Sequence, residues 1–170
     1  MNEPLLKTLL GDPSAGQIAG GLMMLLLFLS LGVLAATAVV LALRRLFPAR
    51  LEQCVWAMLL AAIAAFYLGF AAWFQVPSTA WSTELAAIAV FVLVAFVGAF
   101  SRMALAIGYG LHGVWDVCHS LFGSLILGLP VSDIPLGYGM FCLGFDLTAA
   151  IYLLRWAQCP PAKVSTSSIS

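Results

Sequence analysis

The sequence predicts an all-α membrane protein, a polytopic bundle of about five transmembrane helices. Three observations predict it. Of the 170 residues, 64% are hydrophobic and only 8% are charged, seven basic against seven acidic. Mean hydropathy is +1.10. Five apolar stretches approach the roughly 20 residues that a bilayer-spanning helix needs. A soluble domain carries about 25% charged residues, so this chain cannot clothe its surface for water. The same arithmetic excludes a soluble enzyme and a disordered chain. With zero net charge and no basic face, nucleic acid is excluded as a partner, and the lipid bilayer takes its place. Four cysteines without paired spacing make no disulfide framework.

Residues 1–16 form a short N-terminal segment, and residues 17–156 a single five-helix membrane domain. The first span runs from about Gln17 to Leu43 and stops at Arg44-Arg45. It exceeds the roughly 7–15 apolar residues of a signal peptide, and its charges follow the run instead of preceding it, so it is read as retained. The second span runs from about Cys54 to Phe74. Gln75 to Ser82 follows, with Pro77 as a breaker. The third covers Glu84 to Phe100, the fourth Met103 to Leu121, and the fifth Gly139 to Leu154, closing at Arg155. Between the last two lies a Gly/Pro-rich connection, Gly128 to Tyr138. Residues 157–170 read as a disordered tail, rich in Ser and Thr. Gly16-x-x-x-Gly20 has the spacing of a close helix contact, and Gly108, Gly110 and Gly113 suit close packing in the fourth span.

Alternating loops put Arg44, Arg45, Arg50, Arg102, Arg155 and Lys163 on one side and only Lys7 on the other. The positive-inside rule then sets the N-terminus outside and the C-terminus in the cytoplasm, in a bacterial inner membrane. No internal repeat is visible, so an inverted-repeat transporter is not expected within one chain. A homodimer or another membrane subunit would be the protein partner.

Ionisable groups inside a membrane cost about 2.5–3.5 kcal/mol each on insertion scales and need a partner or a purpose. The first three spans show none in their interiors. Their polar residues are Ser30, Thr37 and Tyr67, which a helix tolerates. The fourth span carries His112, Trp115, Asp116 and His119, and the fifth Cys142 and Asp146. At about 100° per residue, His112, Trp115, Asp116 and His119 share one arc of about 100°. Counting rises of about 1.5 Å places Asp116 and Asp146 at matching depth. The candidate metal ligands are therefore His112, Asp116, His119 and Asp146, opening outward. Asp133, Cys142, Glu84 and Trp115 are additional candidates, Asp133 or Glu84 as a base. Two imidazoles and two carboxylates suit a divalent transition metal such as zinc, iron or manganese.

Other readings stand beside this one. His and Asp can simply lock two helices through a charge-assisted hydrogen bond, or relay protons or ions. Trp115 suits helix packing or an interfacial anchor. Cys54 and Cys159 lie near the cytoplasmic boundary, as free thiols or palmitoylation sites.

The stretch His112-Gly-Val-Trp115-Asp116-Val-Cys-His119, followed by Gly144-Phe145-Asp146, resembles a family of small, uncharacterised bacterial integral membrane proteins. Members have four or five spans, a His-x-x-Trp-Asp helix with a further His, and a Phe-Asp pair in the last span. The resemblance covers roughly the last third of the chain. It implies that these positions belong together, and it carries no activity.

Overall fold

Ser14 starts the first helix. Its hydroxyl accepts from the Gln17 amide (3.3 Å), and the Gln17 side chain accepts from the Ser14 amide (2.8 Å). This reciprocal pair satisfies amides that a helix start leaves bare. The computed structural model describes residues 14–122, 125–126, 129–131 and 134–158. Asp133, Cys159, the N-terminal residues 1–13 and the tail beyond residue 158 lie outside the described residues, with the expectations that fall on them.

The described elements are α1 (Ala15–Leu46), α2 (Ala49–Trp73), α3 (Ser78–Gly98), α4 (Arg102–Phe122), β1 (Leu125–Ile126), β2 (Leu129–Pro130) and α5 (Leu136–Gln158). All five helices fall where hydropathy puts them. α1, α2, α3 and α5 are long and apolar enough to cross a membrane. α4 is of similar length, but Arg102, His112, Asp116 and His119 dilute its apolar content. Between α4 and α5 the chain forms a small antiparallel pair, with Leu125 opposite Pro130 and Ile126 opposite Leu129, and of its two strands β2 falls within the Gly128 to Tyr138 connection.

Prolines punctuate the chain. Pro48 and Pro77 cap the starts of α2 and α3, where their missing N–H leaves no bond unmade. α2 ends with Gln75 in the left-handed region (φ 49°). The amides of Val76 and Gln75 return to the carbonyls of Ala71 and Ala72, the pairing of a Schellman ending.

Polarity is distributed inside out relative to a soluble protein. Trp73, Phe100 and Leu46 are 82%, 81% and 72% exposed, whereas Glu84, His112, Asp116 and Asp146 are 0% exposed. Apolar side chains face outward, where acyl chains would solvate them. The apolar core lies toward one end, around Trp56, Leu60, Leu105, Tyr109 and Leu153. Trp56 meets the Tyr109 ring edge-on at 5.6 Å, and the Tyr109 hydroxyl donates to the Trp56 carbonyl at 2.8 Å.

α5 is the centre of the packing. It lies along both α4 and α1, while α2 pairs with α3 and α3 with α4. α1, first in sequence, thus packs mainly on the last helix. Glycines let the two backbones meet. A Cβ on Gly32 would lie 2.0 Å from the Phe141 carbonyl oxygen, and one on Gly144 would lie 2.3 Å from that of Leu29. Within the chain, Gly16 and Gly20 make no such approach among the described residues. Nothing lies within 4 Å of a Cβ at Gly20, and only the Ser14 hydroxyl lies near one at Gly16. Spacing alone cannot separate a glycine that faces lipid from one that faces a helix.

Overpacking costs about 1–3 kcal/mol where a neighbour cannot move, and both neighbours here are backbone. Gly144→Ala should lower the thermal unfolding midpoint in detergent by several degrees. Gly110→Ala, with nothing within 4 Å, should leave it unchanged or raise it.

Candidate functional site

α4 and α5 bring three side chains to one point. His112 Nδ1 lies 2.8 Å from Asp146 Oδ2 and 3.2 Å from Asp116 Oδ2. With carboxylates as the acceptors, Nδ1 carries the proton and points at Asp146. The Asp116 oxygen lies within ion-pair range but off the hydrogen-bonding direction, and Oδ2 of Asp116 has no hydrogen-bond partner. The three potential ligand atoms lie within 4.8 Å of one another, and all three side chains are buried. The (i, i+4) spacing of His112 and Asp116 stacks them on one face of α4. Asp146 comes across from α5.

Glycines again set the approach. A Cβ on Gly113 would meet Asp146 Cβ at 3.1 Å, and one on Gly139 would meet Ser120 Oγ at 1.9 Å and the Asp116 carbonyl at 3.0 Å. α4 and α5 can therefore close on the cluster from both sides of Asp116. Asp116 lies 14 residues past Arg102, or about 21 Å along α4. The cluster sits in the half of the bundle away from the arginines.

Tyr67 of α2 donates its hydroxyl hydrogen to Asp116 Oδ1. Sequence reasoning passed over Tyr67 as a tolerated polar residue. The one available signal was its place in the interior of an otherwise apolar span.

His119 shares the arc of His112 and Asp116 on α4 but does not join their cluster. It reaches α3, where its Nε2 lies 3.2 Å from Glu84 Oε1. The two turns that separate His112 from His119 carry them to different neighbours. Glu84 corrects the reading of the third span as free of interior charge, because it is fully buried. Trp115 packs edge-on against the His119 ring at 4.8 Å, and Tyr67 lies 4.7 Å from the same ring. Cys142 is buried on α5 as a free thiol, and Cys118 is a half-buried one.

Charge decides what this arrangement requires. Glu84, Asp116 and Asp146 are acids, and among the described residues His112 and His119 face them as bases. The His119–Glu84 pair can be neutral overall as an ion pair. The remaining cluster holds two carboxylates for one imidazole, so full ionisation leaves it at least one negative charge in excess. A buried excess charge is strongly unfavourable in a membrane. The cluster therefore needs an extra proton or a cation. Unused atoms stand ready for either, because His112 Nε2 and Asp146 Oδ1 also lack hydrogen-bond partners among the described residues.

The sequence model of a family of unknown function, DUF6010, matches residues 28–159. This stretch contains every residue of the cluster and the whole of α2 to α5. No curated protein matches the chain, and no solved structure does.

Removing the Tyr67 hydroxyl strands a buried carboxylate oxygen, at about 1–3 kcal/mol. Tyr67→Phe should lower the unfolding midpoint measured in detergent, and it should cost less in an Asp116→Ala background, where no side-chain oxygen is left to accept the hydroxyl hydrogen. Equal losses from Tyr67→Phe with or without Asp116 would show that the bond contributes nothing.

Proposed function

We propose that this chain, which belongs to the family of unknown function DUF6010, is a membrane-embedded metal protein whose His112, Asp116 and Asp146 hold a divalent transition metal. The observation that carries the reading is the convergence of two buried carboxylates on one imidazole, with negative charge in excess. One divalent cation with neutral His112 brings that group to zero net charge. The donor set fits. Once His112 Nδ1 gives up its proton it becomes a donor; ligands about 2.1 Å from a metal stand about 3–3.4 Å apart around it, and the nitrogen-to-oxygen separations here are 2.8 and 3.2 Å. One nitrogen and two oxygens suit zinc, iron or manganese. Three protein donors leave a coordination position for water or substrate, where the metal would act as a Lewis acid.

The chain's own residues support such a centre. Tyr67 fixes the orientation of Asp116, as hydrogen bonds behind metal ligands commonly do. His119 and Glu84 form a separate buried pair close to the Tyr67 ring, able to hold a proton near the centre. In this reading His119 is a neighbour of the metal ligands, and Glu84 is its partner. With the N-terminus outside and the arginine-rich end in the cytoplasm, the centre lies toward the outer leaflet. Any substrate would arrive from the membrane or its outer face.

A second reading, a small proton- or ion-conducting transporter, draws on the same excess charge met by a proton. The observation favouring it is the polar series Asp146, His112, Asp116 and Tyr67, with the His119–Glu84 pair beside it.

Elemental analysis of detergent-purified protein separates the readings. The metal reading expects about one transition-metal ion per chain in the wild type. It expects less than a tenth of that in His112→Ala and in Asp146→Asn, with both variants still helical by circular dichroism. Metal-free wild type that moves protons in proteoliposomes, with the flux abolished in Asp116→Asn, would favour the transporter. Absence of both metal and flux, with the variants unstable, would leave a cluster that only locks α4 to α5.

A further inference from the structure

The opposite end of the bundle carries a second group of polar residues, independent of the metal centre. Arg44 ends α1, Arg102 opens α4 and Arg155 lies in the last turn of α5. All three gather around two stacked aromatic rings of α5, Tyr152 and Trp156, whose centroids are 5.8 Å apart. The Arg44 guanidinium lies 5.7 Å from the Tyr152 ring centre, and that of Arg102 lies 3.8 Å from the Trp156 ring centre. Arg44, Arg155, Tyr152 and Trp156 line one cavity of about 320 Å³.

No carboxylate answers these charges. Among the described residues, every ion pair involves a histidine, so none of the three arginines has an acidic partner. Among the described residues the acid at this end is Glu52, which is buried and accepts the Tyr152 hydroxyl hydrogen. The topological bias of membrane proteins explains basic residues at one end, and the helix dipole welcomes Arg44 and Arg155 at C-termini. The dipole does not favour Arg102, because a helix start favours an anion over a cation. The Arg102 Nε is also buried with no hydrogen-bond partner. Guanidinium groups held by ring faces keep their forked N–H donors turned to whatever enters between them.

The helix ends that carry Arg44 and Arg155 also carry exposed apolar side chains. Leu41 and Leu46 of α1 and Ile151 and Leu154 of α5 are 52%, 72%, 53% and 37% exposed. A bound phosphate at the arginines would thus have acyl-chain surface beside it.

We propose that Arg44 and Arg155, which line one cavity with Tyr152 and Trp156, form a binding site for the phosphate headgroup of an anionic phospholipid, with Arg102 held on the Trp156 ring beside it. Guanidinium forks match phosphate oxygens, and basic pockets between helix ends are a recurrent means of holding such headgroups. The exposed apolar side chains on the same helix ends favour a lipid over free phosphate.

The test is native mass spectrometry of the delipidated full-length chain, titrated with phosphatidylglycerol, phosphatidylcholine or inorganic phosphate. Phosphatidylglycerol should bind at least tenfold more tightly than phosphatidylcholine. Arg44→Gln and Arg155→Gln should each weaken it about tenfold. Arg45→Gln removes the same charge one residue outside the cavity and should behave as wild type. All three side chains are exposed, and matching unfolding midpoints without lipid would confirm that the variants fold. Should Arg44→Gln unfold, Arg155→Gln carries the comparison alone. Equal binding of phosphatidylcholine, or equal losses in all three variants, overturns the site. Displacement of the lipid by millimolar inorganic phosphate overturns its assignment to a lipid.

Discussion

Two buried aspartates share one histidine, and the rest of the bundle is arranged around that constraint. Carboxylates in a bilayer interior are tolerated only when their charge is met locally. His112 meets it in part, and Tyr67 adds a hydroxyl donor from a third helix. The arrangement ties α2, α4 and α5 at one depth. Because lipid surrounds the bundle, apolar burial cannot supply this specificity. Leucine is as comfortable against an acyl chain as against another leucine.

Close backbone approach does the complementary work. Without a hydrophobic drive between helices, contact area and polar bonds decide which helices touch. Gly32 and Gly144 bring α1 onto α5, and Gly113 and Gly139 bring α4 onto α5 beside Asp146 and Asp116. The glycines thereby set the distance between the two halves of the polar cluster. The His119–Glu84 pair repeats the logic one layer away, tying α4 to α3. α4 is thus bonded through histidine on two sides, which turns its polar arc inward while Ile107, Leu111 and Val114 face outward.

The two ends of the molecule differ in chemistry. The half holding the His/Asp cluster has an excess of acid and suits a cation or proton. The other end has guanidinium groups on aromatic rings, with no acidic partner among the described residues, and suits an anion. The apolar core around Trp56 and Tyr109 lies between them.

The sequence by itself determined the class and the spans, because the roughly 20-residue apolar length imposed by a bilayer leaves a signal that needs no tertiary information. It also determined that His112 and Asp116 stack, since helical spacing is local, and depth counting put Asp146 level with Asp116. Helical phase could not say which neighbour each face meets. The arc on α4 therefore grouped His119 with His112, while the fold sends His119 to Glu84. Glu84 itself lies near the start of its span, where a sequence reading places it at the water boundary. Only the packing of α3 against α4 buries it. Tyr67 was invisible for the same reason, because its partner lies 49 residues away on another helix. The tertiary structure alone decided the partners, because in a bundle whose outer faces are all apolar, contacts between helices depend on matched close surfaces and not on hydropathy.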